Sequence, residues 1–331
     1  MTAGLGTRLQ PFTQICAKPL LPLMGVPIVE FNLIAAVQAG AGRFVANVHH
    51  LPDDSTKSLL EMRDRQSVSL RVSDERSEIL GGAGALREAK KYFDDSSCLM
   101  INGDILADVN LQGLAKRHHE LRDSSGVLLT LWVRPGGAPP GKYRKIGFDP
   151  ENSLVTELGS LELGAPFWAG TAIFEWDALK QVPHRGSADF VSTVLEPLIR
   201  EKKVGVYLEQ SRLWSDIGSP ELWYKAHCDL IRNLDSSSEG SDRARLASSW
   251  VSAINKNLTQ VGSQIWVNRN LDVPSIEAIL RDSRARGPIL LSECTVPTDK
   301  PLGPGLIAYS CAINTHVRQA LGFRNLWFQP N

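Results

Sequence analysis

The 331-residue chain has no surplus of charge: Lys plus Arg and Asp plus Glu number 36 each. A nucleic-acid binder carries a basic excess, so that class of partner is set aside. No apolar run reaches the roughly 20 residues that cross a bilayer. No leader segment is read ahead of the first motif, so neither a membrane span nor export is expected. Cysteine is sparse: Cys16, Cys98, Cys228, Cys294 and Cys311 are scattered, odd in number and without a C-x-x-C pair. That usage excludes a disulfide framework and fits free thiols in a reducing cytoplasm. Metal-ligand spacing of histidine is also missing. His49-His50 and His118-His119 are adjacent pairs whose members point different ways, so they read as surface or strand-end residues. What remains, 43% apolar and 22% charged, is ordinary for a globular chain long enough for two domains.

What the chain does have is a side-chain-poor loop at its start. Ala3, Gly4 and Gly6 let backbone N–H groups approach an anion with no Cβ in the way. Thr7 adds a hydroxyl donor, Arg8 a two-pronged cation suited to phosphate oxygens, and Lys18 a point charge on a segment stiffened by Pro19 and Pro22. Together they suggest a polyphosphate site. The spacing is not that of a Walker loop. Leu9 stands where the dinucleotide fingerprint would need its third glycine.

Further along, residues 27–40 read as a helix opened by proline and closed by glycine, 43–49 as a short strand, 53–65 as a helix and 68–72 as a strand. This β-α-β-α order is that of a doubly wound, mostly parallel α/β sheet. Gly81, Gly82 and Gly84 crowd a strand-to-helix turn, where backbone again comes close to a flat or anionic ligand. Residues 97–102 form a buried strand that ends at Asp104, and Asp108 is expected to cap the helix beginning near Leu111. Residues 127–133, 167–174 and 204–208 read as strands, 146–148 and 154–158 as a hairpin, and 187–201 as an amphipathic helix. Ser219 is expected to cap a helix running from Pro220 to about Asn233.

The string Ala3-Gly4-x-Gly6-Thr7-Arg8-Leu9-x-Pro11-x-Thr13, followed by Lys18-Pro19-Leu20-Leu21-Pro22, resembles the signature of the sugar-1-phosphate nucleotidylyltransferases, or NDP-sugar pyrophosphorylases. The overall similarity leans towards the mannose-1-phosphate guanylyltransferase group. Leu80-Gly81-Gly82-Ala83-Gly84-Ala85-Leu86 resembles the family's base-and-ribose motif, with Gly82 where Thr or Ser is usual. Asn102-Gly103-Asp104 resembles its metal-binding turn. Leu213-Trp214-Ser215-Asp216-Ile217-Gly218-Ser219-Pro220 resembles the stretch holding its second metal carboxylate. Gly170 matches the strand glycine facing the nucleotide sugar. Glu157 is the acidic candidate in the sugar region, where the family's Tyr-Gly and Glu-Lys-Pro are replaced or absent.

The resemblance implies Mg²⁺-dependent nucleotidylyl transfer from an NTP to a sugar 1-phosphate, with GDP-mannose as one product to consider. Ala3, Gly4, Gly6, Thr7, Gly81 and Gly82 would bind nucleotide, Arg8 and Lys18 would be catalytic, Gly170 and Glu157 would face sugar, and Asp104 and Asp216 would hold the metal. It also implies an aliphatic strand ahead of Ala3. Met1-Thr2 look like the tail of one, so a late start, a missing first strand and a gap in the sheet are expected. The altered sugar region and that gap leave open a weakly active or inactive NDP-sugar-binding regulatory subunit. A glycosyltransferase would need an Asp-x-Asp metal pair, where Asn102-Gly103-Asp104 stands. The expected domains are a nucleotidyltransferase domain over 1–234, a linker and short helix over 235–257, and a β-rich domain over 258–331. In the last, apolar residues such as Val261, Val267 and Val273 fall six apart, the mark of a left-handed β-helix. Relatives use such a β-helix for contacts between copies of one chain, so a homo-oligomer is expected.

Overall fold

The computed structural model describes residues 1–137, 141–234, 248–262, 265–268, 289–292, 306–309, 320–323 and 326–328. The motif region opens with two short strands, Pro22–Leu23 (β1) and Val26–Pro27 (β2), which pair antiparallel ahead of helix Ile28–Gln38 (α1). Arg43–Val48 (β3), Pro52–Gln66 (α2) and Ser69–Asp74 (β4) form a β-α-β unit, and Gly81–Ala89 (α3) follows. Next come Cys98–Ile101 (β5), Ile105–Ala107 (β6), Leu111–Ser125 (α4) and Leu129–Arg134 (β7). Arg144–Phe148 (β8) and Val155–Leu161 (β9) make the hairpin, and Phe167–Phe174 (β10) returns through the sheet. A π-helical turn at Val191–Leu195 leads into Glu196–Arg200 (α5) and Val204–Leu208 (β11). Trp214–Asp216 (β12), Pro220–Leu234 (α6) and Ser248–Asn257 (α7) complete the part ahead of the C-terminal strands.

The chain forms two compact units. One comprises residues 1–5 and 35–212, the other 6–34 and 213–331. In the first, β3 and β4 pair in parallel, as a crossover helix requires. The main sheet is mixed rather than mostly parallel, which corrects the expectation. β10 runs antiparallel to both β5 and β7. β5 and β7 are therefore parallel to each other, as α4 between them dictates, and β10 is inserted between. Among the described residues no helix intervenes between β7 and β10, so the chain turns back instead of crossing over. β11 adds in parallel on the far side of β7. Leu129, Leu131, Val133, Phe174, Val204 and Val206 lie in the core of this sheet, each side chain contributing about 1.5–3 kcal/mol by leaving water.

β3 and β4 stand as a separate two-stranded sheet. Met1 and Thr2 bridge from β3 to β5: the Met1 α-amino group donates to the Ile101 carbonyl at 2.7 Å, and Thr2 N–H donates to Asn47 Oδ1 at 2.7 Å.

Three further readings are corrected. His118 is fully buried, not a surface residue. With Leu111, Leu114 and Leu121 it follows helical spacing on the buried face of α4, and it bonds Thr130 Oγ1 at 2.9 Å and Glu175 Oε1 at 3.0 Å. The cap of α4 is Asn110, whose Oδ1 accepts from Gly113 N–H at 2.9 Å; Asp108 lies too early in the chain for that role. The 187–201 stretch is not one amphipathic helix. Ala188 is bonded to Leu80, Ala83 and Gly84, the Asp189 carboxylate accepts from Ser192 N–H at 2.9 Å, and the helix starts at Phe190 and passes through the π-helical turn Val191–Leu195 before α5.

In the second unit the motif segment rests on the later helices. Phe12 packs edge-on against Trp223 of α6, centroids 5.3 Å apart, and Trp223 Nε1 donates to the Pro22 carbonyl at 2.9 Å. Trp250 of α7 does the same for α1, with Phe31 at 5.1 Å and a 3.1 Å bond to the Phe31 carbonyl. Leu258–Gly262 (β13), Ile265–Asn268 (β14), Ile289–Ser292 (β15), Leu306–Tyr309 (β16), Ala320–Phe323 (β17) and Leu326–Phe328 (β18) build one six-stranded sheet in sequential order. β14 to β17 are parallel neighbours, with Trp266, Leu290, Ile307 and Leu321 in lateral register. The expected linker at 235–242 and the residues connecting the parallel strands lie outside the described residues. Among the described residues, Cys16, Cys98 and Cys228 are free thiols, and no helix is long and apolar enough to cross a membrane.

Candidate active site

The first glycine loop is shaped from both ends. At its start, Thr2 N–H and Thr2 Oγ1 hold Asn47 of β3, through Oδ1 and the backbone carbonyl respectively. Ala3 is buried, whereas Gly4 is exposed. In the second unit, Gly6 adopts φ +62° and opens the helical turn Thr7–Leu9. Its carbonyl accepts from Thr13 Oγ1 and Leu9 N–H, both at 2.9 Å. A Cβ at Gly6 would sit 2.9 Å from Thr13 Cγ2 and 3.1 Å from Lys18 Cβ, so only glycine lets Lys18 pack this closely. Leu9 and Phe12 are buried as anchors, which leaves Thr7 and Arg8 exposed; Lys18 is 7% exposed. The structure thus brings Gly6, Thr7, Arg8 and Lys18 into one short segment.

The second glycine loop is covered by its own chain. Ala188 N–H donates to the Leu80 carbonyl at 2.8 Å, and the Ala188 carbonyl accepts from Ala83 and Gly84 N–H at 3.0 and 3.3 Å. These are first-turn donors of α3, of the kind a ligand anion would otherwise take. A Cβ at Gly81 (φ +70°) would meet the Ala188 carbonyl at 2.6 Å, and one at Gly82 would meet Phe190 Cβ at 2.8 Å. The missing hydroxyl at position 82 therefore has a steric reason: Phe190 occupies the space a Ser or Thr would need.

The Asp104 turn is held by backbone bonds from Asn102 N–H to the Gly170 carbonyl (2.9 Å), Gly103 N–H to the Met1 carbonyl (2.8 Å) and Ile105 N–H to the Asn102 carbonyl (3.2 Å). Gly170 has φ +90° within a bulge of β10, where register shifts between Trp168 and Ala172. A Cβ there would overlap Ile105 Cδ1 and lie 3.1 Å from Asn102 Nδ2, so Gly170 is the seat of the Asp104 turn. Burial pulls the nearby Met1 α-amino group down to about 6, against the opposing pull of Asp104 and Glu75. Glu157 is exposed on the hairpin beside Lys145 Nζ, at 3.9 Å. Asp216, in the second unit, is 5% exposed at the end of β12, and its carbonyl accepts from Gly218 N–H at 2.9 Å. Ser219 Oγ then caps α6 through Leu222 N–H at 3.3 Å, as expected.

Ala3, Gly4, Gly81, Gly82, Asp104, Glu157 and Gly170 thus fall in the first unit; Gly6, Thr7, Arg8, Lys18 and Asp216 fall in the second. Among the described residues, no group of three or more His, Cys, Asp or Glu gathers as a self-sufficient metal cage. Asp104 and Asp216 are each a hard oxygen donor of the kind Mg²⁺ takes, an ion that keeps waters and borrows substrate phosphate oxygens.

Sequence reasoning missed Asn47 and Glu75. Glu75 is 2% exposed; its Oε1 accepts from Asn47 Nδ2 at 2.9 Å and its Oε2 from Leu80 N–H at 3.3 Å. Burial raises its carboxyl above the usual glutamate range, while these two donors oppose the shift. The one available signal was Asn47 itself, a polar residue inside the apolar strand Phe44-Val45-Ala46-Asn47-Val48.

An α/β unit with a glycine-rich helix start after β4 and an acidic turn after β5 has the plan of a nucleotide-handling transferase. The nucleotidyl transferase family model matches residues 1–233. The chain belongs to the sugar-1-phosphate nucleotidylyltransferase family. Similar relatives include a mannose-1-phosphate guanyltransferase beta-B of Xenopus laevis, 24% identical over 71% of this chain and 64% of that protein. Another is a UTP–glucose-1-phosphate uridylyltransferase of Synechocystis, 26% identical over 71% and 63%. The chain thus spans just under two thirds of the length of these relatives. The solved inositol-1-phosphate CTP transferase of T. maritima shares the fold, with a TM-score of 0.54 at 18% identity over 68% of this chain and 93% of that one.

Proposed function

We propose that the chain catalyses nucleotidylyl transfer: an oxygen of a sugar 1-phosphate attacks the α-phosphorus of an NTP, the bond from that phosphorus to the β-bridging oxygen breaks, and pyrophosphate leaves with an NDP-sugar as product. The observation that carries this reading is the Gly6–Lys18 segment, in which an exposed arginine and a packed lysine flank a glycine turn. Phosphoryl-type transfer depends on positioning and charge neutralisation, with little covalent chemistry by the protein. The backbone of Ala3, Gly4, Gly6 and Thr7 cradles the phosphates. Arg8 neutralises charge on the departing pyrophosphate, and Lys18 binds the sugar phosphate. Gly81 and Gly82 border the nucleoside, and Gly170 and Glu157 the sugar. Asp104 and Asp216 would hold Mg²⁺, which supplies charge neutralisation at phosphate oxygens.

Guanylyl transfer to mannose 1-phosphate is the favoured pairing, supported by the Xenopus relative; uridylyl transfer to glucose 1-phosphate is supported by the Synechocystis one. The laterally aligned parallel strands β14–β17 support a β-helix for the C-terminal region, left-handed in this reading and serving contacts between copies of the chain. A cytoplasmic location, where these substrates are made, completes the proposal. The test is pyrophosphate release with Mg²⁺, each NTP and a panel of sugar 1-phosphates. Turnover with one pairing, lost in Arg8→Ala and Asp104→Asn, is expected. Silence with every pairing while NDP-sugar binds would leave the regulatory reading instead.

A further inference from the structure

Glu75 and Asn47 are buried polar residues that the proposed chemistry does not use, and within the first unit their bonds link Thr2, at the start of the first glycine loop, to Leu80, at the start of the second. A continuous chain of bonds runs through them. Thr2 N–H donates to Asn47 Oδ1 at 2.7 Å, Asn47 Nδ2 to Glu75 Oε1 at 2.9 Å, and Leu80 N–H to Glu75 Oε2 at 3.3 Å. Thr2 Oγ1 also donates to the Asn47 carbonyl. Glu75 is itself pinned: its N–H donates to the Val48 carbonyl at 2.7 Å, and His49 Nδ1 bonds its carbonyl at 2.7 Å. Thr2 immediately precedes Ala3 and Gly4; Leu80 immediately precedes Gly81 and Gly82.

We propose that Glu75 is a positioning residue that, through Asn47, ties the start of the first glycine loop to the start of the second, so that the two nucleotide-facing loops are held as one preformed piece. This rests on the reading of those loops as nucleotide-binding. A carboxylate is required because both of its oxygens must accept. Its demand fixes the Asn47 amide with Nδ2 towards Glu75 and Oδ1 towards Thr2. A glutamine at 75 has one acceptor only. It either turns an NH₂ towards Leu80 N–H, or turns it towards Asn47, which must then flip and present its own NH₂ to Thr2 N–H. Either way one loop loses its anchor, and a preformed phosphate cradle becomes one that must be ordered on binding.

The experiment uses the full chain with Glu75→Gln. Amide hydrogen exchange of residues 2–6 and 80–84 is measured without ligand, and NTP affinity is measured by titration. Faster exchange in at least one loop is expected, with NTP binding weaker by about tenfold and the KM for sugar 1-phosphate changed by less than about twofold. If wild-type protein binds NTP and Glu75→Gln binds it equally well, or loses both substrates alike, the proposal is overturned while the function stands. If wild-type protein binds no NTP, the functional reading falls and takes this one with it. Should Glu75→Gln not fold, Asn47→Ala, which removes both the acceptor for Thr2 N–H and the donor to Glu75 Oε1, carries the test: about threefold weaker NTP binding supports the proposal, and unchanged binding overturns it.

Discussion

Placing a methyl group on Gly170 tests how the Asp104 turn is seated. Two costs add in Gly170→Ala. The backbone stays at φ +90°, where an L-residue is strained by about 1–2 kcal/mol. The new Cβ also overlaps Ile105 Cδ1 and approaches Asn102 Nδ2 to 3.1 Å, and overpacking a well-filled site costs about 1–3 kcal/mol. The variant should therefore lose about 2–5 kcal/mol in urea denaturation. The decisive comparison is with Ile105→Val, which removes the offending Cδ1 and alone costs about 0.5–1.5 kcal/mol. Because the second change relieves the clash made by the first, the double variant should be more stable than the sum of the two by about 1–2 kcal/mol. The strain at φ +90° stays, so recovery is partial. Additivity within about 0.5 kcal/mol would show that the bulge does not seat the turn through Ile105, and the steric argument would fail.

Other consequences follow from single contacts. His227 is fully buried and its imidazolium is disfavoured, with burial pulling its pKa down to about 3; the unfolded chain therefore takes up a proton first, and stability falls as pH drops from about 6.5. Between pH 5.5 and 4, wild type should lose about 1.4 kcal/mol per unit more than His227→Leu; parallel profiles in denaturant titrations would contradict this. Trp223→Ala removes a fully buried ring that holds both Phe12 and the Pro22 carbonyl, so it should cost about 3–5 kcal/mol, and equal stability would deny that α6 supports the motif segment. Gly82→Thr should destabilise, because its Cβ would lie 2.8 Å from Phe190 Cβ, and Phe190→Gly in the same chain, which removes that Cβ, should restore part of the loss in thermal melts.

Much of the fold was legible because local patterns carried it. Helical periodicity and a proline start marked α1, continuous apolar runs marked β7 and β10, and Ser219 before Pro220 marked the start of α6. Apart from the α4 cap, which Asn110 and Gly113 decide locally, the misreadings share a cause, that the deciding partner is far away in sequence. β10 runs antiparallel because it enters between β5 and β7, which no pattern within Phe167–Phe174 reveals. His118 is buried because Thr130 and Glu175 satisfy it. The glycines at 81 and 82 read as open to a ligand, yet Ala188 and Phe190 lie against them. Similarly, Glu75 gains its meaning only from Asn47 and Leu80. The glycine-arginine-lysine segment was readable because its parts lie within Gly6–Lys18 and pack on one another.

The most direct measurement follows the α-phosphorus. An α-³²P-labelled NTP is incubated with Mg²⁺, a sugar 1-phosphate and the full chain, and the products are separated. Nucleotidylyl transfer predicts label in an NDP-sugar and unlabelled pyrophosphate, only when both substrates are present, and neither with Arg8→Ala. Label retained in the NTP across the panel, or released as a nucleoside monophosphate without sugar, would contradict it.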